Sequence, residues 1–300
     1  MRELKKMIKF IESSNEEQFI LVEIEGTQGA TYKKTGAIKV VSLNGDSFGI
    51  LSGGCLEREI EQRALGLADQ SLLVDFDSSS SSERFFGNAT GCEGIMTLKF
   101  QKYSRDPLLV KIQKKLDQYR LLVHVVGMGP DIDPLNELLN FQGWDSLYYS
   151  PYTEQVQSRR REGWNVVQLD DSFQLSLSRD LPNAVLLMGH HYPTDLEVLA
   201  SLPIDQVDYV GALGAKKRIT RLKSDLEKIY QYDLDSRFNE IFHGPMGLDC
   251  MGRGESAIAL SVVAQLQSLF FGQKKGRSKT SLDMIQKADS YLSSGNAGYF

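Results

Sequence analysis

The chain has 300 residues, 41% of them hydrophobic and 24% charged, a globular composition with room for about two domains of ordinary size. A formal net charge of −5 makes nucleic acid a poor partner, and no apolar run reaches the roughly 18 residues of a membrane span. Cys55, Cys92 and Cys250 are too few, and odd in number, for a disulfide framework; with the charged start Met1-Arg2-Glu3-Leu4-Lys5-Lys6, which argues against a secretory signal, they point to a reduced, cytoplasmic protein.

From the amino terminus onward, Lys5 to Glu12 has helical spacing, with Met7, Ile8 and Ile11 on one side. Phe19 to Ile24 and Ala37 to Leu43 read as strands, and Asn44-Gly45 followed by Phe48 to Leu51 reads as a hairpin. Ser52-Gly53-Gly54-Cys55 leads into a helical run from Leu56 through Ala68, and Ser78 to Ser82 reads as a loop. Ile95 to Phe100 alternates like a half-buried strand. Residues 1–105 therefore predict a mainly antiparallel α+β domain. Asp106-Pro107 marks a turn and a helix start at the boundary. Beyond it, Leu121 to Val126, Ala184 to Met188 and Tyr209 to Gly211 are continuous apolar runs of the kind buried on both faces of a parallel sheet. Residues 106–272 predict a Rossmann-like, doubly wound α/β domain, closed by a helix from Ser256 to Phe270, with its site at the carboxyl ends of the strands. Residues 273–300 form a tail.

Gly53-Gly54-Cys55 places a thiol at a helix amino end, where free N–H groups and the helix dipole lower its pKa and favour attack or metal binding. A second glycine-flanked thiol lies in Gly91-Cys92-Glu93-Gly94. Two readings stand side by side: reactive thiols, or small buried residues at tight turns.

These residues carry a resemblance. Gly29-Ala30-Thr31-Tyr32 with Gly36, Ser52-Gly53-Gly54-Cys55-Leu56-Glu57 and Gly91-Cys92-Glu93-Gly94 resemble the first domain of the XdhC/CoxI family, accessory proteins of xanthine dehydrogenase and related molybdenum hydroxylases. In the second half the similar segments are Gly127-Met128-Gly129-Pro130-Asp131, Met188-Gly189-His190 with Asp195, Tyr209 to Gly214, His243 to Asp249, and Ile258 to Ser261. They run in order from about Gly26 to about Gln265. The resemblance implies a cytoplasmic, homodimeric protein that binds the molybdenum cofactor and delivers it to an apo-enzyme of the molybdenum hydroxylase class. It draws the cofactor contacts from Gly53, Gly54, Cys55, Cys92, Gly127, Gly129, His190, Gly211, Gly214 and Lys216. Cys55 would touch the metal, soft sulfur suiting a sulfur-rich cofactor, and the two halves would clasp the guest between the glycine turn and the α/β crevice.

Several positions depart from the family pattern. Gly127-x-Gly129 is half of a dinucleotide fingerprint, with Ile132 where a small residue belongs. Asp131 and Asp133 oppose a pyrophosphate, and Pro134 predicts a helix starting there with Asp133 as its cap. Ser150-Pro151 replaces the ribose-binding acid, so NAD(P) is not expected. Gly189 stands for Thr, Ala215 for Ser, and Glu255 and Ala257 for Pro and Glu. Gly214-Ala215-Lys216-Lys217-Arg218 reads either as a phosphate cradle or as the solvated first turn of a helix. No His-x-x-x-His or Cys-x-x-Cys spacing points to structural zinc. Cys250 is assigned to packing. Two enzyme-like alternatives remain: an NAD(P)-dependent oxidoreductase with His190 as acid/base, and a thiol-based sulfur or redox carrier using Cys55 and Cys92, making Cys55 and His190 the catalytic candidates.

Overall fold

The computed structural model describes residues 1–54, 56–77, 94–249 and 253–272. Alternation along β1 (Gln18–Gly29) sends Phe19 and Leu21 to one face and Ile20, Val22 and Ile24 to the other, and both faces are covered. Strand β1 is central in an antiparallel sheet of order β3-β2-β1-β5-β4, with β2 Ile38–Ser42, β3 Ser47–Phe48, β4 Ser71–Asp77 and β5 Gly94–Ser104. Leu4, Met7 and Ile11 of α1 (Arg2–Ser13) and Leu108, Ile112 and Leu116 of α3 (Arg105–Asp117) pack on the first face. Ile60 and Ala64 of α2 (Glu57–Leu65) pack on the second. Each large apolar side chain buried this way contributes roughly 1.5–3 kcal/mol.

Packing gives α3 to the first sheet, although a division at 105/106 assigns it to the second half. Strand β4 has no counterpart in the sequence reading: Leu72 and Leu73 are exposed on this edge strand, so no alternation marks it. The hairpin at Asn44-Gly45 forms, but its return strand is only Ser47–Phe48.

The second half is a six-stranded parallel sheet of order β11-β10-β9-β6-β7-β8. Its strands are β6 Leu122–Val126, β7 Asp145–Ser150, β8 Val166–Gln168, β9 Asn183–Leu187, β10 Tyr209–Ala212 and β11 Phe242–His243. The intervening helices are α4 Ile132–Gln142, α5 Thr153–Arg161, α6 Tyr192–Ser201, α7 Lys216–Tyr230 and α8 Ser236–Ile241, and α9 Glu255–Phe271 closes the unit. This is the strand order of dinucleotide-binding folds, with the topological switch between β6 and β9. The expected α+β domain followed by a doubly wound α/β domain is the observed fold. Helix α4 starts at Ile132, two residues before Pro134. Proline within the first turn sacrifices no intrahelical bond, and Ile132 is fully buried in the core.

His124, inside β6, is fully buried. Its Nδ1 lies 3.0 Å from the Tyr149 hydroxyl and its Nε2 3.0 Å from Asn183 Oδ1. Since the Asn183 oxygen can only accept, Nε2 carries the proton and Nδ1 accepts from Tyr149. Burial pushes the imidazole pKa down, so this neutral tautomer persists.

The halves meet at the amino ends of β6 and β7. Lys5 Nζ donates to the Gly143 carbonyl at 2.7 Å, Arg120 Nη2 lies 3.1 Å from Asp145 Oδ2, and Arg2 stacks over Phe141. Phe271 closes the seam against Tyr119 and Trp144.

Candidate functional site

The glycine turn is held by charges. Lys39 sits between the apolar Ile38 and Val40 of β2 with only 3% of its side chain exposed, and its ammonium contacts Glu57 Oε2 at 2.9 Å and Glu61 Oε1 at 2.8 Å. Glu57 Oε1 in turn accepts from the Leu51 and Ser52 amides and from the Ser52 hydroxyl, at 2.9, 2.7 and 2.7 Å. Burial pushes the Glu57 pKa up, but the hydrogen bonds from Lys39, Ser52 and Leu51 outweigh it and hold the carboxyl below its usual range. The Ser52 hydroxyl also accepts from the Leu56 amide at the start of α2. Gly53 and Gly54 have φ of +75° and +118°, as the sequence requires of them. Sequence reasoning passed over Lys39 and Glu57. A lysine inside an apolar run is the signal, because it is buried only with carboxylate partners.

A crevice of about 590 Å³ opens at the carboxyl ends of β6, β9, β10 and β11, with Asp131, His190, Leu213, Arg218, Pro245 and Glu255 among its lining. Gly127, with φ of +116°, lets two loops touch: a Cβ there would lie 2.6 Å from the Gly189 amide nitrogen. Gly129 faces the His190 ring. His190 is largely exposed, and its Nε2 lies 3.7 Å from Asp131 Oδ2. His191 caps α6, its Nδ1 accepting from Thr194.

Asp195 is fully buried. Its Oδ2 pairs with Arg218 Nη2 at 2.8 Å, and its Oδ1 has no hydrogen-bond partner among the described residues. Burial drives this carboxyl up to about 6, with the Arg218 charge offsetting part of the rise. Arg218 also donates to the Leu213 and Gly189 carbonyls. Of the three cations after Gly214, Arg218 is thus turned inward onto Asp195, while Lys216 and Lys217 are exposed at the start of α7.

His190 and Gly214 line the crevice, and Gly127 and Gly129 pack against its Gly189–His190 segment. Gly211 does neither: it lies within β10, where a Cβ would meet Met246 and Tyr209. Ser150 ends β7 with its hydroxyl committed to Gln155 Oε1. Glu255 and Ile258 of α9 do line the crevice, a contribution the departure from the family pattern at Glu255 did not foretell. Cys55, Cys92 and Cys250 lie outside the described residues, as do Ser78 to Ser82 and the tail from 273.

Gly53 and Gly54 of the glycine turn are not among the residues lining the crevice. Among the described residues the crevice is lined from the second half alone. Gly49 and Ile50, ahead of the glycine turn, line a separate cleft at the seam with Met1, Lys115 and Tyr119. The length of β6, about 16 Å, separates the seam from the crevice. The parallel strands decide this: chain contacts enter at their amino ends and the crevice forms at the other. Among the described residues no group of three His, Cys, Asp or Glu stands together to hold a metal, and no helix is long and apolar enough to cross a membrane.

These features define a two-part protein in which an antiparallel α+β unit supports a dinucleotide-type α/β unit with an open crevice. Residues 13–77 match the model of the XdhC and CoxI family, and residues 123–266 match that of the XdhC Rossmann domain. The chain is 24% identical to a probable xanthine dehydrogenase subunit from Bacillus subtilis, over 84% of this chain and 93% of that protein. It is 23% identical to the molybdenum cofactor insertion chaperone PaoD of Escherichia coli, over 85% of each. A crystal structure from Bacillus halodurans, described as a xanthine dehydrogenase, has the same fold, with a TM-score of 0.72 and 19% identity over 95% of this chain and all of that one. The chain belongs to the XdhC/CoxI family.

Proposed function

We propose that this protein is an accessory factor that binds the molybdenum cofactor and delivers it to an apo-enzyme of the xanthine dehydrogenase type. The observation that carries this reading is the similarity to the E. coli insertion chaperone across 85% of both chains, spanning both structural units. The crevice supports it physically. Pro130, Leu213, Pro245 and Ile258 supply apolar walls, while Asp131 and Glu255 supply acceptors, the mixture expected of a small-molecule site. The cofactor is cargo here, and its redox chemistry belongs to the receiving enzyme. Its chain-borne ligands are proposed to include His190 and the Gly127–Gly129 loop, with Cys55 at the metal end because a thiolate suits molybdenum's sulfur surroundings. A nucleotide pyrophosphate fits less well, because the Asp131 carboxylate already stands at the amino end of α4.

Within one chain Gly53 and Gly54 do not line the crevice, so a second copy would serve joint use of the two on one guest. We therefore take the working form to be a homodimer, which sedimentation velocity tests directly. The primary experiment is expression in a host that makes the cofactor, followed by assay of the purified protein for bound pterin and molybdenum. Both are expected to copurify, and Cys55→Ser is expected to lower the molybdenum retained with little change in thermal stability. Absence of both pterin and metal from the wild-type protein overturns the reading.

A further inference from the structure

We propose that the crevice grips its ligand by the aminopyrimidinone edge of a pterin, with the Asp131 carboxylate as acceptor, and leaves the phosphate end outside. The proposal rests on the cofactor-carrier reading and adds which end of the cofactor the crevice takes.

Asp131 is the starting point. It lines the crevice with 9% of its side chain exposed. An aspartate at the start of a helix ordinarily accepts a hydrogen bond from the first turn, but Asp131 has helical angles, φ −68° and ψ −14°, and makes no such bond. Its side chain has no hydrogen-bond partner among the described residues, and His190 Nε2 stands beyond hydrogen-bond distance at 3.7 Å. Its oxygens open onto the crevice, where a ligand that supplies donors finds an uncommitted acceptor.

The rest of the crevice selects the kind of donor. Arg218, the cation of its wall, is occupied by Asp195 and two carbonyls. Asp195 Oδ1, also without a donor, is sealed beneath Gly189 and does not line the crevice. Glu255 adds a carboxylate at the first turn of α9. Asp131 and Glu255 therefore outnumber the one uncommitted side-chain donor of the lining, His190; the amino ends of α4 and α9 carry acids where a phosphate would sit, and Lys216 and Lys217 at the amino end of α7 are not in the lining. A pterin presents two adjacent donors, its 2-amino group and N3–H, which a carboxylate accepts in parallel. Pro130, Leu213, Pro245 and Ile258 offer apolar surface to the flat ring.

The test is a fluorescence titration of the full chain with 6-hydroxymethylpterin and with 6-hydroxymethyl-lumazine, which carries an oxo group in place of the 2-amino group. Wild-type protein is expected to prefer the pterin by about tenfold or more, the size of a lost charged hydrogen bond. Asp131→Asn, which offers one acceptor and one donor, is expected to weaken pterin binding about tenfold and to shift preference toward the lumazine. A merely structural aspartate would not produce that reversal. The wild-type comparison needs no variant, so it holds even if Asp131→Asn fails to fold. Equal binding of the two probes, or displacement of the pterin by ADP or inorganic pyrophosphate, overturns the proposal. If the intact cofactor copurifies with wild-type protein while the pterin is neither bound nor discriminated, this assignment falls and the carrier reading stands; if no cofactor copurifies, the carrier reading itself falls.

Discussion

Gly54 and Gly127 have nearly the same backbone angle, φ +118° and +116°, yet opposite surroundings. A Cβ at Gly54 would meet nothing within 4 Å, whereas one at Gly127 would strike the backbone of Gly189. The carboxylates beside them differ in the same way. Glu57, at the glycine turn, accepts from three donors and pairs with a buried lysine. Beneath the crevice Asp195 leaves one oxygen without a partner, and in its lining Asp131 makes no side-chain hydrogen bond among the described residues. The turn is internally satisfied, so its charges set geometry; the crevice holds acceptors in reserve, which is the arrangement of a surface that receives something.

The strongest test falls on the satisfied side. Lys39→Met strands two carboxylates at the turn, and the first unit should lose about 4 kcal/mol of stability in denaturant unfolding. A loss below about 1 kcal/mol would mean that water already carries the charges. Next, Gly127→Ala should destabilise the second unit by about 3 kcal/mol, since positive φ and a backbone collision act together; thermal unfolding would report it.

The two carboxyls should also answer pH in opposite directions. Asp195, raised from 3.8 to about 6 in the folded chain, binds its proton there before it does in the unfolded chain. Its contribution should therefore fall by about 2 kcal/mol as pH rises from about 4 to 6. Glu57, held below 4.5, contributes fully above that value and loses its contribution as pH drops beneath it. Subtracting the unfolding free energies of Asp195→Asn from those of wild type across this range isolates the first effect, and a difference that rises with pH would contradict the burial argument. The mildest change belongs to Gly54→Ala, about 1 kcal/mol, because strain acts there without a collision. If it equals that of Gly127→Ala, the contrast between the two glycines is lost.

Whatever depends on neighbouring residues could be read from the order of amino acids. Apolar runs such as Leu121 to Val126 marked the parallel strands, alternation marked β5, and Gly53-Gly54 and Gly127 stood where positive φ was needed. The order of the glycine segments carried the family. It took the folded chain to show that α3 packs with the first sheet, that Lys39 serves Glu57 and Glu61, and that Arg218 turns back to Asp195. That the crevice, among the described residues, is lined from the second half alone likewise came from the fold. The physical reason is range: periodicity and turn chemistry act over a few residues, whereas charge partners and the ends that meet are chosen by the packing of strands and helices, which brings together residues 18 to 23 positions apart.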